Sequence, residues 1–71
     1  MAYHIGDIPL HKAIEYKKWN QNPFFIIELY KTKNNNFIKR VLSYDNGDWL
    51  EDLRLVTEEY YNSISILPIK L

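Results

Sequence analysis

The feature that most constrains this chain is a pair of short aromatic and β-branched runs. They are FFIIELYK at residues 24–31 and FIKRVLSY at residues 37–44, joined by Thr32-Lys33-Asn34-Asn35-Asn36. Phe, Ile, Val and Tyr fit a pleated, half-buried surface, so each run reads as a strand. Pro23 bounds the first run, and the connection is rich in Asn, which tolerates left-handed backbone and bonds its own main chain. An antiparallel hairpin is expected. With Lys31 opposite Phe37, one side carries Phe25, Ile27, Leu29, Phe37 and Val41. The other carries Phe24, Ile26, Tyr30, Ile38, Leu42 and Tyr44, with Glu28 opposite Arg40 at its centre. Both sides are apolar, and large apolar surfaces are rarely left to water. Cover must come from the rest of the chain, from a second copy, or from another protein.

One segment outside the hairpin has a clear period. Over residues 48–62, Trp49, Leu50, Leu53, Val56, Thr57, Tyr60, Tyr61 and, just beyond, Ile64 recur at helical spacing, with Glu51, Asp52, Glu58, Glu59 and Asn62 opposite them. Asp48 followed by Glu51 suits a helix start. The rival reading takes Asn46-Gly47 as a tight hairpin turn leading into a strand from Trp49 to Thr57. The helix is preferred because its period persists over four turns. Residues 63–69 (SISILPI) alternate and read as a closing edge strand, since Pro68 cannot donate to a ladder. In residues 1–22, Asp7 can cap a short helix with Pro9 in its first turn and Leu10, Ala13, Ile14 and Tyr16 as its stripe, which Lys17 interrupts. The expected fold is therefore α+β, a single small domain over residues 1–71 in the order (α)ββαβ. It has an antiparallel hairpin, one amphipathic helix packed on the sheet and a C-terminal edge strand.

A chain of 71 residues buries only about 60% of its unfolded surface, so its stability must come from an apolar-rich interior or from association. Cysteine is absent, which excludes disulfides, thiol catalysis and cysteine-bound metal. No apolar run approaches the ~20 residues that span a bilayer, and no signal-peptide core is present, so a cytoplasmic location is expected. Ile, Lys, Asn, Tyr and Phe are abundant and share AT-rich codons, which points to an AT-rich genome such as that of a low-GC bacterium, its phages or its plasmids.

Catalytic constellations are not expected. Ser43, Ser63 and Ser65 fall in or beside predicted strands, and the two histidines, His4 and His11, match no metal spacing together with Asp7. Asp45, Asp48, Glu51 and Asp52 surround Asn46-Gly47, but Gly47 and Trp49 stand where a calcium loop needs oxygen ligands. Gly6 and Gly47 cannot make a phosphate-cradling loop. No cofactor and no metal are expected.

Charge is divided unevenly. Residues 1–40 hold seven basic against three acidic groups, and residues 41–71 hold two against six. The acidic outer side of the predicted helix, Glu51, Asp52, Glu58 and Glu59 around an outward Leu55, is the expected partner-binding face. The expected function is a non-catalytic protein-binding module, a small phage or mobile-element inhibitor or adaptor acting on a host enzyme or defence complex. Two other readings stand beside it. One is a nucleic-acid-binding accessory protein using Lys31, Lys33, Lys39 and Arg40; the other is a homo-oligomeric structural subunit, a homodimer through the second sheet face.

Overall fold

The computed structural model describes residues 12–71. Among these residues, five strands form one antiparallel sheet: β1 (Ala13–Asn22), β2 (Phe25–Thr32), β3 (Phe37–Asp45), β4 (Asp48–Val56) and β5 (Ile69–Lys70), with one short helix, α1 (Glu58–Ser63), between the last two. The spatial order is β4-β3-β2-β1-β5, so the first four strands are a meander and the fifth returns to the free side of the first. The described residues are mostly sheet, and no helix among them is long and apolar enough to cross a membrane.

The β2–β3 hairpin has the register expected from its loop: Lys31 pairs with Phe37, Ile27 with Val41 and Glu28 with Arg40. The turn is closed by Thr32, which is buried; its N–H donates to Asn36 O at 2.9 Å, and its hydroxyl accepts from Asn36 N at 3.1 Å. Asn35 sits in the left-handed region at φ 63°, where asparagine costs little. Strand alternation then sorts the side chains as anticipated. Ile27, Leu29 and Phe37 lie on one face, and Tyr30 and Ile38 on the other.

Two elements differ from the sequence reading. Residues 48–56 are strand β4, not helix. Asn46 and Gly47 both have positive φ, 50° and 87°, which is the backbone of the two-residue hairpin turn whose twist matches the strands it joins. Once that turn forms, Asp48 is delivered opposite Asp45 and the ladder with β3 runs on to Val56 opposite Phe37. The helical period arises because β4 is a sheet edge on which only Leu53 is deeply buried, so its apolar residues are not held to strict alternation. The helix itself is confined to residues 58–63. Thr57 caps it, its hydroxyl accepting from Tyr60 N at 3.0 Å, so the expected Asp48 cap is replaced by one nine residues later.

The second difference is β1. The helix expected in residues 1–22 gives way to a strand over Ala13–Asn22, and the Asp7 cap with Pro9 lies outside the described residues. The pattern was hidden because the deeply buried positions of β1 are Glu15 and Lys17. Both are satisfied by the C-terminal segment. Lys17 Nζ donates to the carbonyls of Tyr61 (2.8 Å) and Ile64 (2.7 Å) at the end of α1, and lies 4.4 Å from the centre of the Tyr61 ring. Glu15 accepts from the Tyr61 hydroxyl at 2.8 Å and from Lys70 Nζ at 2.6 Å. The negative end of a helix and an ammonium suit each other, and the paired carbonyls replace the water that Lys17 gives up.

Those contacts seat Tyr61 on Leu29 and Phe37, with its ring 5.1 Å from that of Phe37. Trp19, Val56, Tyr60 and Ile64 pack around this cluster. A second, smaller cluster lies on the other face, where Ile38 and Leu53 pack with Tyr30. The edge strand expected at residues 63–69 is reduced to Ile69–Lys70, immediately after Pro68, and it pairs with β1 through Tyr16 and Glu15. Of the N-terminal segment, residues 13–22 join the sheet as β1 and so extend it without covering either face, while residues 1–11 lie outside the described residues.

Candidate functional site

The face that bears Ile38 ends, at the Asn46-Gly47 turn, in a row of rings. Tyr44 and Trp49 stand on the neighbouring strands β3 and β4, and Phe24 stands beside them in the turn that leads into β2. The Phe24 carbonyl accepts from Tyr44 N at 2.9 Å, and Tyr44 pairs with Trp49 across the hairpin. Ring centres are 5.6 Å apart from Phe24 to Tyr44, stacked, and 5.4 Å from Tyr44 to Trp49, edge-on. Both are ordinary favourable arrangements for aromatic pairs. Their surroundings are not. Phe24 is 58% exposed, Tyr44 40% and Trp49 50%, and none belongs to either buried cluster.

Local sequence explains why the rings converge. Asn22 Oδ1 accepts from Phe24 N at 2.8 Å, fixing the chain around Pro23 as it enters β2. The tight turn at Asn46-Gly47 then forces Tyr44 and Trp49 to the same side, since residues flanking a paired position in a ladder share a face. Below the rings, the same face carries a polar network centred on Glu28, which is buried. It accepts from Tyr30 Oη at 2.8 Å and Arg40 Nη1 at 3.1 Å, with Lys18 Nζ at 3.9 Å; Arg40 Nε is bound in turn by Glu51. Burial, aided by the neighbouring Glu28 carboxylate, pushes the Tyr30 hydroxyl up to about 12. The network is fully partnered: among the described residues no buried side-chain polar atom lacks a hydrogen bond. It supports the face and presents no free acid or base.

No family model, no curated protein and no solved structure matches this chain.

The residues singled out in the sequence are placed as follows. Glu51 and Leu55 point to the ring-bearing face of β4, while Asp52 points to the opposite one. Glu58 and Glu59 form the first turn of α1. The expected continuous acidic face does not exist, because it was drawn on a helix where the chain is a strand. Glu51 and Asp52 are moreover engaged by Arg40 and Arg54. The basic set is also dispersed. Lys31 and Lys39 share the α1 side of the sheet, over the rings of Phe37 (5.9 Å) and Tyr60 (5.1 Å), and Arg40 is on the other side between two carboxylates. Lys33 is exposed in the β2–β3 turn. No group of three His, Asp or Glu among the described residues is placed to hold a metal ion, and His4, Asp7 and His11 lie outside them.

Sequence reasoning assigned Phe24 and Tyr44 to one hairpin face and placed Trp49 on the inner side of a helix. The signal that would have joined all three was the Asn46-Gly47 turn. Taken as a type I′ hairpin, it puts Tyr44 and Trp49 side by side at once.

Proposed function

We propose that this protein is a non-catalytic protein-binding module whose contact surface is the Phe24–Tyr44–Trp49 row. The observation that carries the reading is the exposure of three contiguous aromatic rings at one end of the sheet, outside both core clusters. Contiguous exposed apolar surface on a small domain marks interaction sites, and Trp and Tyr supply most of the energy where proteins meet. A small inhibitor or adaptor acts by occupying a surface on its target, and one such patch is sufficient for that.

The test is affinity capture from nuclease-treated lysate with the wild-type chain and with Trp49→Ala, both quantified by mass spectrometry. A protein retained at stoichiometric level by the wild type and lost with Trp49→Ala is the expected result. Identical capture by the two chains refutes the reading. Because Trp49 is half-exposed, the variant should keep the far-ultraviolet circular dichroism of the parent, which checks that loss of capture is not loss of fold.

A further inference from the structure

This inference rests on the protein-binding reading and specifies the partner. The hairpin that carries Tyr44 and Trp49, residues 41–53, holds four carboxylates and no lysine or arginine. Glu51 and Asp52 are neutralised from outside the segment by Arg40 and Arg54. Asp45 and Asp48 are not: they stand directly opposite each other in the ladder, and among the described residues neither is in an ion pair. Like charges in that position destabilise a sheet. The turn does not require them, since Asn46 and Gly47 supply its left-handed backbone. Strand alternation sends the rings to one side of the hairpin tip and the two carboxylates to the other, so both features flank the same few residues.

We propose that the tip of the β3–β4 hairpin docks an arginine-bearing, cationic segment of another protein. Tyr44 and Trp49 offer ring faces on which a guanidinium group stacks, and Asp45 and Asp48, on the other side of the tip, pair with neighbouring arginines of the same segment. Arginine is favoured over lysine because its planar, weakly hydrated head both stacks on aromatic faces and pairs with carboxylates through a fork of donors. A nucleic acid would bring phosphates against the two uncompensated carboxylates. A second copy of this chain is a poorer source of guanidinium groups, since its Arg40 and Arg54 are already engaged by Glu51 and Asp52.

The experiment is a titration of the isotope-labelled chain with blocked hexa-arginine peptide, followed by amide and indole N–H resonances, with hexa-glutamate as the control peptide. The two tryptophans serve as built-in reporters, since Trp49 belongs to the ring row and Trp19 packs beside α1. Saturable shifts at the Trp49 indole and the amides of residues 45–48, with Trp19 unmoved, are expected. Asp45→Asn/Asp48→Asn should weaken the interaction about tenfold, and raising ionic strength from about 0.05 to about 0.5 M should weaken it further. Shifts centred on Glu58 and Glu59, or insensitive to the double substitution, overturn the proposal.

The same variants in the capture assay separate its failure from that of the underlying reading. Capture lost with Trp49→Ala but kept with Asp45→Asn/Asp48→Asn overturns the cationic partner and leaves protein binding standing. Capture unaffected by either overturns both. A doubled mass in solution that depends on Trp49 assigns the surface to a second copy and overturns the proposal.

Discussion

Lys17→Met isolates the least expected feature of the fold, an ammonium buried at the end of α1. Lys17 is 5% exposed, and its Nζ makes two hydrogen bonds to main-chain carbonyls, at 2.8 and 2.7 Å. Methionine keeps most of the aliphatic stem and removes the head. Two opposing changes follow. The variant no longer has to desolvate an ammonium, a relief of several kcal/mol. It also loses two hydrogen bonds from a charged donor, roughly 1.5–3 kcal/mol each, and strands two carbonyls at roughly 1–3 kcal/mol each. The balance is a loss of about 2–4 kcal/mol, against a total of about 4–11 kcal/mol for a chain of this length. In a domain this small each kcal/mol moves the melting temperature by about 4–8 °C, so a fall of about 8–32 °C is expected. Urea unfolding and thermal melts followed by circular dichroism measure the two, with Lys31→Met as the control: Lys31 Nζ lies 5.9 Å over the Phe37 ring, and its loss should cost no more than about 0.5–1 kcal/mol. A Lys17→Met protein as stable as the parent, or more so, would refute the argument and show that desolvation outweighs the carbonyl contacts.

Tyr61→Phe removes the hydroxyl donated to Glu15 at 2.8 Å and should lower stability by about 1–2 kcal/mol in the same assay. The hydrogen bonds from Lys70 and Tyr61 hold the Glu15 carboxyl below the ordinary 4.5, so its stabilisation is present above that value and is lost as pH falls through the depressed one. Glu15→Gln should therefore flatten the acid limb of a stability–pH curve. Tyr30, pushed up to about 12, acts in the opposite sense: its contribution is full below pH 10 and disappears as pH rises from there to about 12, and Tyr30→Phe should blunt that alkaline loss. Gly47→Ala places a side chain at φ 87°. Its Cβ would meet only the Tyr44 hydroxyl, at 3.9 Å, so the expected cost of about 1–2 kcal/mol is backbone strain alone, measurable as a shift in urea midpoint.

How much of this was legible in the chain depends on what each strand buries. The β2–β3 hairpin could be read to the residue, including Lys31 opposite Phe37 and Glu28 opposite Arg40, because both its faces are apolar and its turn is short. Strand β1 could not, because hydrophobic periodicity cannot see a strand whose buried positions are Glu15 and Lys17. Their partners, Tyr61, Ile64 and Lys70, are more than forty residues away. Strand β4 reads as a helix for a different reason: as an edge with one deeply buried residue its pattern is ambiguous, and the deciding signal is only two residues of turn, Asn46-Gly47. The ring row suffered from that error, since Trp49 joins Phe24 and Tyr44 only when β4 is a strand.

The return of β5 to β1 has a consequence for how quickly the sheet assembles and comes apart. Pairings among β1 to β4 are local hairpins, whereas Glu15 meets Lys70 across a separation of 55 residues. Loops that long close late, after nearby contacts have repaid their own ordering, so the transition state should hold the meander without its fifth strand. Substitutions at Glu15, Lys17 and Tyr61 should then speed unfolding and leave the refolding rate nearly unchanged, while Ile27→Val or Val41→Ala within the β2–β3 hairpin should slow refolding. In stopped-flow experiments the C-terminal segment would behave as the first part of the molecule to leave and the last to arrive.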